Sequence, residues 1–192
     1  AAARTEIRHT FPAFCAQKAR KQHRIRRKTV ERGILQNAVV SDEQNLGHIH
    51  LCPETMGKVN QLGTLEEVLE LCLIDERLIP CIDFGHLNAR TFGRLNSFEA
   101  VKEVFDKMED KLGTSRMRQF HSHFSKIEYT LKGGEKCHLT FADTIYGPQF
   151  EPVAEMIVRK NASPTIICES AGTQAEDALT MKQIYCRQKE QD

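Results

Sequence analysis

Tryptophan is absent from this chain, and aromatic residues make up only 7% of it. No apolar run approaches the ~18 residues of a transmembrane helix, and the N-terminus lacks an apolar stretch that could form the core of a signal peptide. A membrane span is therefore excluded, and the cytoplasm is the expected location. None of the seven cysteines (15, 52, 72, 81, 137, 168, 186) forms a C-x-x-C pair. The odd count without a secretion signal predicts reduced thiols, with neither disulfides nor a zinc ribbon. No G-x-S-x-G elbow, P-loop or G-x-G-x-x-G occurs either. Cys81 and Cys168 precede carboxylates but lie inside apolar runs, which makes them core thiols and argues against covalent catalysis.

What the sequence does contain is enough for one domain with a real core: 192 residues, 40% hydrophobic and 28% charged, the balance of a soluble globular protein. The net charge of +1 conceals an asymmetry, with ten Lys/Arg against two Glu in residues 1–32 and seventeen against twenty-four Asp/Glu in the rest. Residues 1–33, including Lys18, Arg20, Lys21, Arg24, Arg26, Arg27 and Lys28, are read as a basic segment outside the domain, a solvated tail or a phosphate-binding arm. The sequence opens on Ala-Ala-Ala and this stretch has little apolar periodicity, so a truncated or misread beginning is a further expectation.

From residue 34 the pattern becomes that of a domain, and after Gly47 short apolar β-rich runs alternate with longer helical ones, the signature of βα units on a parallel sheet. Four units are expected. The strands are 48–54, 78–83, 117–126 and 165–169. The helices run from Thr64 with Glu67 placed for a capping box, from Ser97 to a stop at Gly113, over 151–160, and over 175–187. The stretch containing Gly133 and Gly134 reads as irregular.

Each predicted strand ends in a carboxylate or an imidazole: Glu54, Asp83 with His86, His121 with His123, and Glu169. In parallel βα architectures these ends converge on one face, where active sites form. Mixed Glu, Asp and His donors suit a borderline divalent ion such as Zn²⁺ or Mn²⁺. Carboxylates such as Glu54 and Glu169 can bridge two metals in the arrangement used on phosphoesters. Asp83 and His86 can face one ion if Phe84-Gly85 turns, which glycine permits.

At Leu51-Cys52-Pro53-Glu54-Thr55, Cys81-Ile82-Asp83-Phe84-Gly85-His86 and Ile167-Cys168-Glu169, the chain resembles the endonuclease IV family of xylose isomerase-like TIM barrels, over about 46–185. The resemblance implies an α/β fold made of the last four βα units of a TIM (β/α)8 barrel, a partial barrel within 34–192. It also implies a zinc centre of up to three ions held by Glu54, Asp83, His86, His121, His138 and Glu169. Glu54 and Glu169 are the expected catalytic carboxylates, and the implied reaction is hydrolysis of the DNA phosphodiester 5′ to an abasic site. Where the family has Asp two residues before the later His, this chain has Lys136, with Glu135 beside it. His123 stands where the repair enzymes tend to have Asn, and with Arg90 and Lys126 it is assigned to substrate binding. The family's first four units cannot fit into the first 45 residues, so a truncated or frame-disrupted member is expected, associating as a homodimer through exposed half-barrel edges.

Two other functions fit the same residues. One is a divalent-metal sugar isomerase or epimerase, which needs roughly four ligands around one ion, fewer than are present here. The other is a non-catalytic fragment binding metal or nucleic acid through residues 18–28. The acidic balance of residues 33–192 and the absence of tryptophan make DNA the weaker part of the first reading.

Overall fold

The computed structural model describes residues 28–33 and 48–191. The chain divides into two units, Ala1–Gly47 and His48–Asp192. In the first, a helical stretch α1 covers residues 28–33; the rest of the basic segment lies outside the described residues. Among the described residues no helix is long and apolar enough to cross a membrane. The six described cysteines are unpaired.

The second unit begins with an extended segment in which Glu54 makes a single parallel bridge to Cys81. Helix α2 (Leu65–Cys72) follows. It starts where Thr64 and Glu67 close a capping box, Glu67 N–H donating to Thr64 Oγ1 at 3.2 Å and Thr64 N–H to Glu67 Oε2 at 2.9 Å. Its apolar face, Leu65, Val68, Leu69, Leu71 and Cys72, is buried. Strand β1 (Cys81–Asp83) leads straight into α3 (Phe84–Arg90), because the Asp83 side chain caps that helix by accepting from His86 N–H at 2.7 Å. Helix α4 (Phe98–Leu112) starts at the Ser97 cap and stops at Gly113, and the short α5 (Thr114–Arg118) precedes β2 (His121–Phe124). An antiparallel hairpin, β3 (Ile127–Thr130) and β4 (Gly134–His138), leads to α6 (Glu151–Arg159), β5 (Thr165–Cys168) and α7 (Gln174–Gln191).

Strands β1, β2 and β5 form a parallel sheet in the order β1-β2-β5. Successive side chains of a strand point to opposite faces, and the two faces of this sheet differ sharply. Ile82, Phe124 and Cys168 point to the side covered by helices and join Phe84, Phe105, Phe120, Phe150, Met108 and Met156 in the core. Phe105 lies between Phe84, 6.2 Å away by ring centroids, and Phe120 at 5.5 Å. The other face carries Cys81 and Asp83, His121 and His123, Thr165 and Ile167. No described element of this unit packs over it at β5, where Ile167 is 47% exposed.

The expected partial TIM barrel is not what forms. The parallel sheet has three strands, and a separate two-stranded antiparallel sheet stands beside it. Local features take some of the expected strand residues out of the parallel ladder. Residues 48–53 form no strand, and Pro53 has no N–H to give a ladder. The expected third strand over 117–126 is interrupted, since α5 takes Met117 and only His121–Phe124 pairs with neighbours. The irregular glycine-rich stretch is the β3–β4 hairpin, whose tip turns at Gly134 with φ of 76°.

Candidate metal centre

The site lies on the open sheet face, at the C-terminal ends of the parallel segments. Register partners in a parallel sheet share a face about 4.8 Å apart. Glu54, Cys81, His121 and Thr165 therefore form one row across the sheet, and Asp83, His123 and Ile167 the next. Glu169 follows β5, anchored by its N–H to Phe124 O at 3.0 Å.

Glu54, Asp83, His123 and Glu169 each offer one ligand atom, all within 4.8 Å of one another. His123 Nδ1 is 3.0 Å from Glu54 Oε1 and 3.3 Å from Glu169 Oε1. A second group, His86, Glu135 and His138, adjoins the first. His86 links them. Its Nδ1–H donates to Thr55 O at 3.0 Å and lies 3.2 Å from Asp83 Oδ2 and 3.4 Å from Glu54 Oε1, while Nε2 faces Glu135 Oε2 at 3.6 Å. His138 shares a hydrogen bond with Ser125 Oγ at 2.8 Å, stands 4.0 Å from Glu169 Oε2, and packs edge-on against the His86 ring. Gly57 is what lets the hairpin come this close: a Cβ there would meet Glu135 Cβ at 2.6 Å and His86 Cδ2 at 3.1 Å.

The electrostatics are those of a preassembled donor set. Burial favours the neutral form of the Asp83 carboxyl, and although His86 and its backbone N–H oppose this, the pKa is pushed up to about 6. One oxygen of this fully buried carboxylate, Oδ2, has no hydrogen-bond partner. An ionised oxygen there is costly unless a cation faces it, and in the metal-free chain that cation is protonated His86, 3.2 Å away. Burial also acts to raise the Glu54 pKa, but hydrogen bonds with His123 and His86 outweigh it and hold this carboxyl down to about 2. For His86, burial lowers the pKa, whereas the Glu54 bond and the charges of Asp83 and Glu135 carry it up to about 9. His123 is raised chiefly by its bond to Glu54; His121 is lowered by burial and by His123.

Of the residues expected as metal ligands, Glu54, Asp83, His86, His138 and Glu169 come together. His121 does not join the carboxylates. It stands beside Cys81, and His123, assigned from sequence to substrate binding, takes the place among them. Glu135, the carboxylate beside Lys136 in the sequence but not among the expected ligands, joins His86 and His138. Its neighbour Lys136 points to the opposite side, where Nζ meets Glu128 Oε1 at 2.6 Å. The β-bulge at Lys136, where Glu128 pairs with Cys137 and Tyr129 with Glu135, puts Glu135 on the same side as His138; strict alternation along β4 would have set the two on opposite faces.

Arg90 and Lys126, assigned from sequence to substrate binding, donate to backbone carbonyls. The Arg90 guanidinium donates to the carbonyls of Met56, Lys58, Val59 and Gln61. Lys126, only 7% exposed, donates to Phe141 O and Asp143 O.

No protein-family model matches the chain. Over 135 residues, 70% of its length, it is 36% identical to the uncharacterized protein MJ0133 of Methanocaldococcus jannaschii. The chain spans about half of that relative's length, 48%.

Proposed function

We propose that this chain is a zinc-dependent phosphodiester hydrolase acting on DNA with abasic sites, as the resemblance of its Glu54, Asp83–His86, His138 and Glu169 motifs to the endonuclease IV family implies. The observation that carries the metal premise is the convergence of Glu54, Asp83, His123 and Glu169, with ligand atoms within 4.8 Å of one another, around a buried carboxylate whose Oδ2 accepts no hydrogen bond. Nitrogen and carboxylate donors in these numbers fit Zn²⁺, and Mn²⁺ less selectively. They exceed the roughly four ligands that a single-ion sugar isomerase needs.

Zinc bound there supplies Lewis-acid polarisation of a phosphoryl oxygen. The chain's own residues do the rest. Glu54, held ionised between His86 and His123, fixes both rings; Ser125 orients His138 through Nδ1. Glu169, whose side chain is one-third exposed, is the carboxylate suited to take a proton from the attacking water.

Elemental analysis of protein purified without chelator or affinity metal, with nicking of a duplex containing one abasic site, tests the reading. The expected result is two or more zinc ions per chain, depleted in Glu54→Ala and Asp83→Ala, with cleavage 5′ to the lesion. Absence of zinc would overturn it. About one ion without cleavage would favour the sugar-enzyme alternative.

A further inference from the structure

A third donor group adjoins the carboxylate cluster, and two of its members, Cys81 and His121, take no part in the chemistry above: Cys81, His121 and His123 have ligand atoms within 4.8 Å of one another. The backbone enforces the grouping. Cys81 and His121 are direct register partners on β1 and β2, and His121 and His123 are two residues apart on β2, so all three side chains share the open sheet face.

Cys81 is 2% exposed, and its thiol makes no hydrogen bond among the described residues. The His121 ring contacts that of His123, with centroids 5.3 Å apart, and its nitrogens likewise have no hydrogen-bond partner among the described residues. His121 and His123 are partly exposed, which leaves the group open to solvent on the imidazole side.

We infer that Cys81, His121 and His123 form a separate, thiolate-containing site for a soft or borderline divalent cation. One sulfur and two imidazole nitrogens are three of the four corners of a tetrahedral zinc or cobalt site, with the fourth left open. Binding exchanges the Cys81 thiol proton, released to solvent, for the cation. The neighbouring cluster is rich in carboxylate oxygen and accepts harder ions; this group, with its sulfur, discriminates against them. His123 is common to both groups, so filling one site bears directly on the geometry of the other.

Cobalt(II) titrated into the metal-free full chain reads this site without any assay of hydrolysis. A thiolate-to-cobalt charge-transfer absorption in the near ultraviolet is expected. It should persist in Cys168→Ser and Glu169→Gln and vanish in Cys81→Ser. His121→Gln, a change at a partly exposed position, should weaken the cobalt affinity of that band by about tenfold or more, since even the loss of an outer-shell partner costs that much. No such band in the unsubstituted chain, its survival in Cys81→Ser, or an unchanged affinity in His121→Gln would overturn the inference. Because the band reports sulfur ligation alone, it stands or falls separately from abasic-site cleavage.

Discussion

Replacing Arg90 by alanine tests whether this side chain builds the site or meets a substrate. Its two terminal nitrogens donate to four backbone carbonyls, Met56 at 3.1 Å, Lys58 at 2.7 Å, Val59 at 3.3 Å and Gln61 at 3.0 Å. The segment they hold follows Glu54 directly and includes Gly57, against which Glu135 and His86 pack. Hydrogen bonds from charged donors contribute roughly 1.5–3 kcal/mol each when buried, but these are half-buried and water can reach the carbonyls, so about 3 kcal/mol for all four is the reasonable scale. With a urea slope of about 2 kcal/mol/M, Arg90→Ala should lower the unfolding midpoint by about 1.5 M. Arg90→Lys should recover only a minor part, because one ammonium cannot reproduce the planar fork. Hydrogen exchange across residues 56–61 should accelerate in both variants. A loss under about 1 kcal/mol, or full recovery by lysine, would refute the structural role and return Arg90 to the substrate side.

Two further outcomes follow from the core and the cluster. In the metal-free protein the His86 pKa stands at about 9 against an ordinary 6.5. Its protonated form therefore stabilises the fold fully below about pH 6.5, and that contribution is lost as the pH rises toward 9. Urea midpoints measured with chelator should fall across this window, and the fall should flatten in His86→Gln; an equal slope in both proteins would contradict the assignment. Phe105→Ala removes a fully buried ring packed between Phe84 and Phe120 and should cost about 3–5 kcal/mol of unfolding free energy in the same assay. A cost under about 2 kcal/mol would mean that the helices collapse into the space.

Much of this molecule is written locally. The helices starting at Leu65 and Phe98 are legible from Thr64 with Glu67 and from Ser97, because a cap acts within one turn. The concentration of carboxylates and imidazoles at the ends of apolar runs is equally legible, since a short strand exposes its polar flank wherever it lies. Helix α3 is harder to see in the sequence, because the Asp83 carboxylate that caps it also stands among the strand-end donors.

Most of the donors, and their faces on β1, β2 and β5, are readable along the chain, because alternation in an unbulged strand is a property of its backbone. Which donors meet is settled by long-range pairing. His121 and His123 share a face, so periodicity cannot choose between them. The choice is made by register, which sets His123 opposite Asp83 and His121 opposite Cys81. The extent of the sheet is likewise nonlocal: three strands pair in parallel while the glycine-rich stretch folds on itself and delivers Glu135 and His138. Pairing between segments forty residues apart depends on how the helices between them pack, and no short window of sequence carries that information.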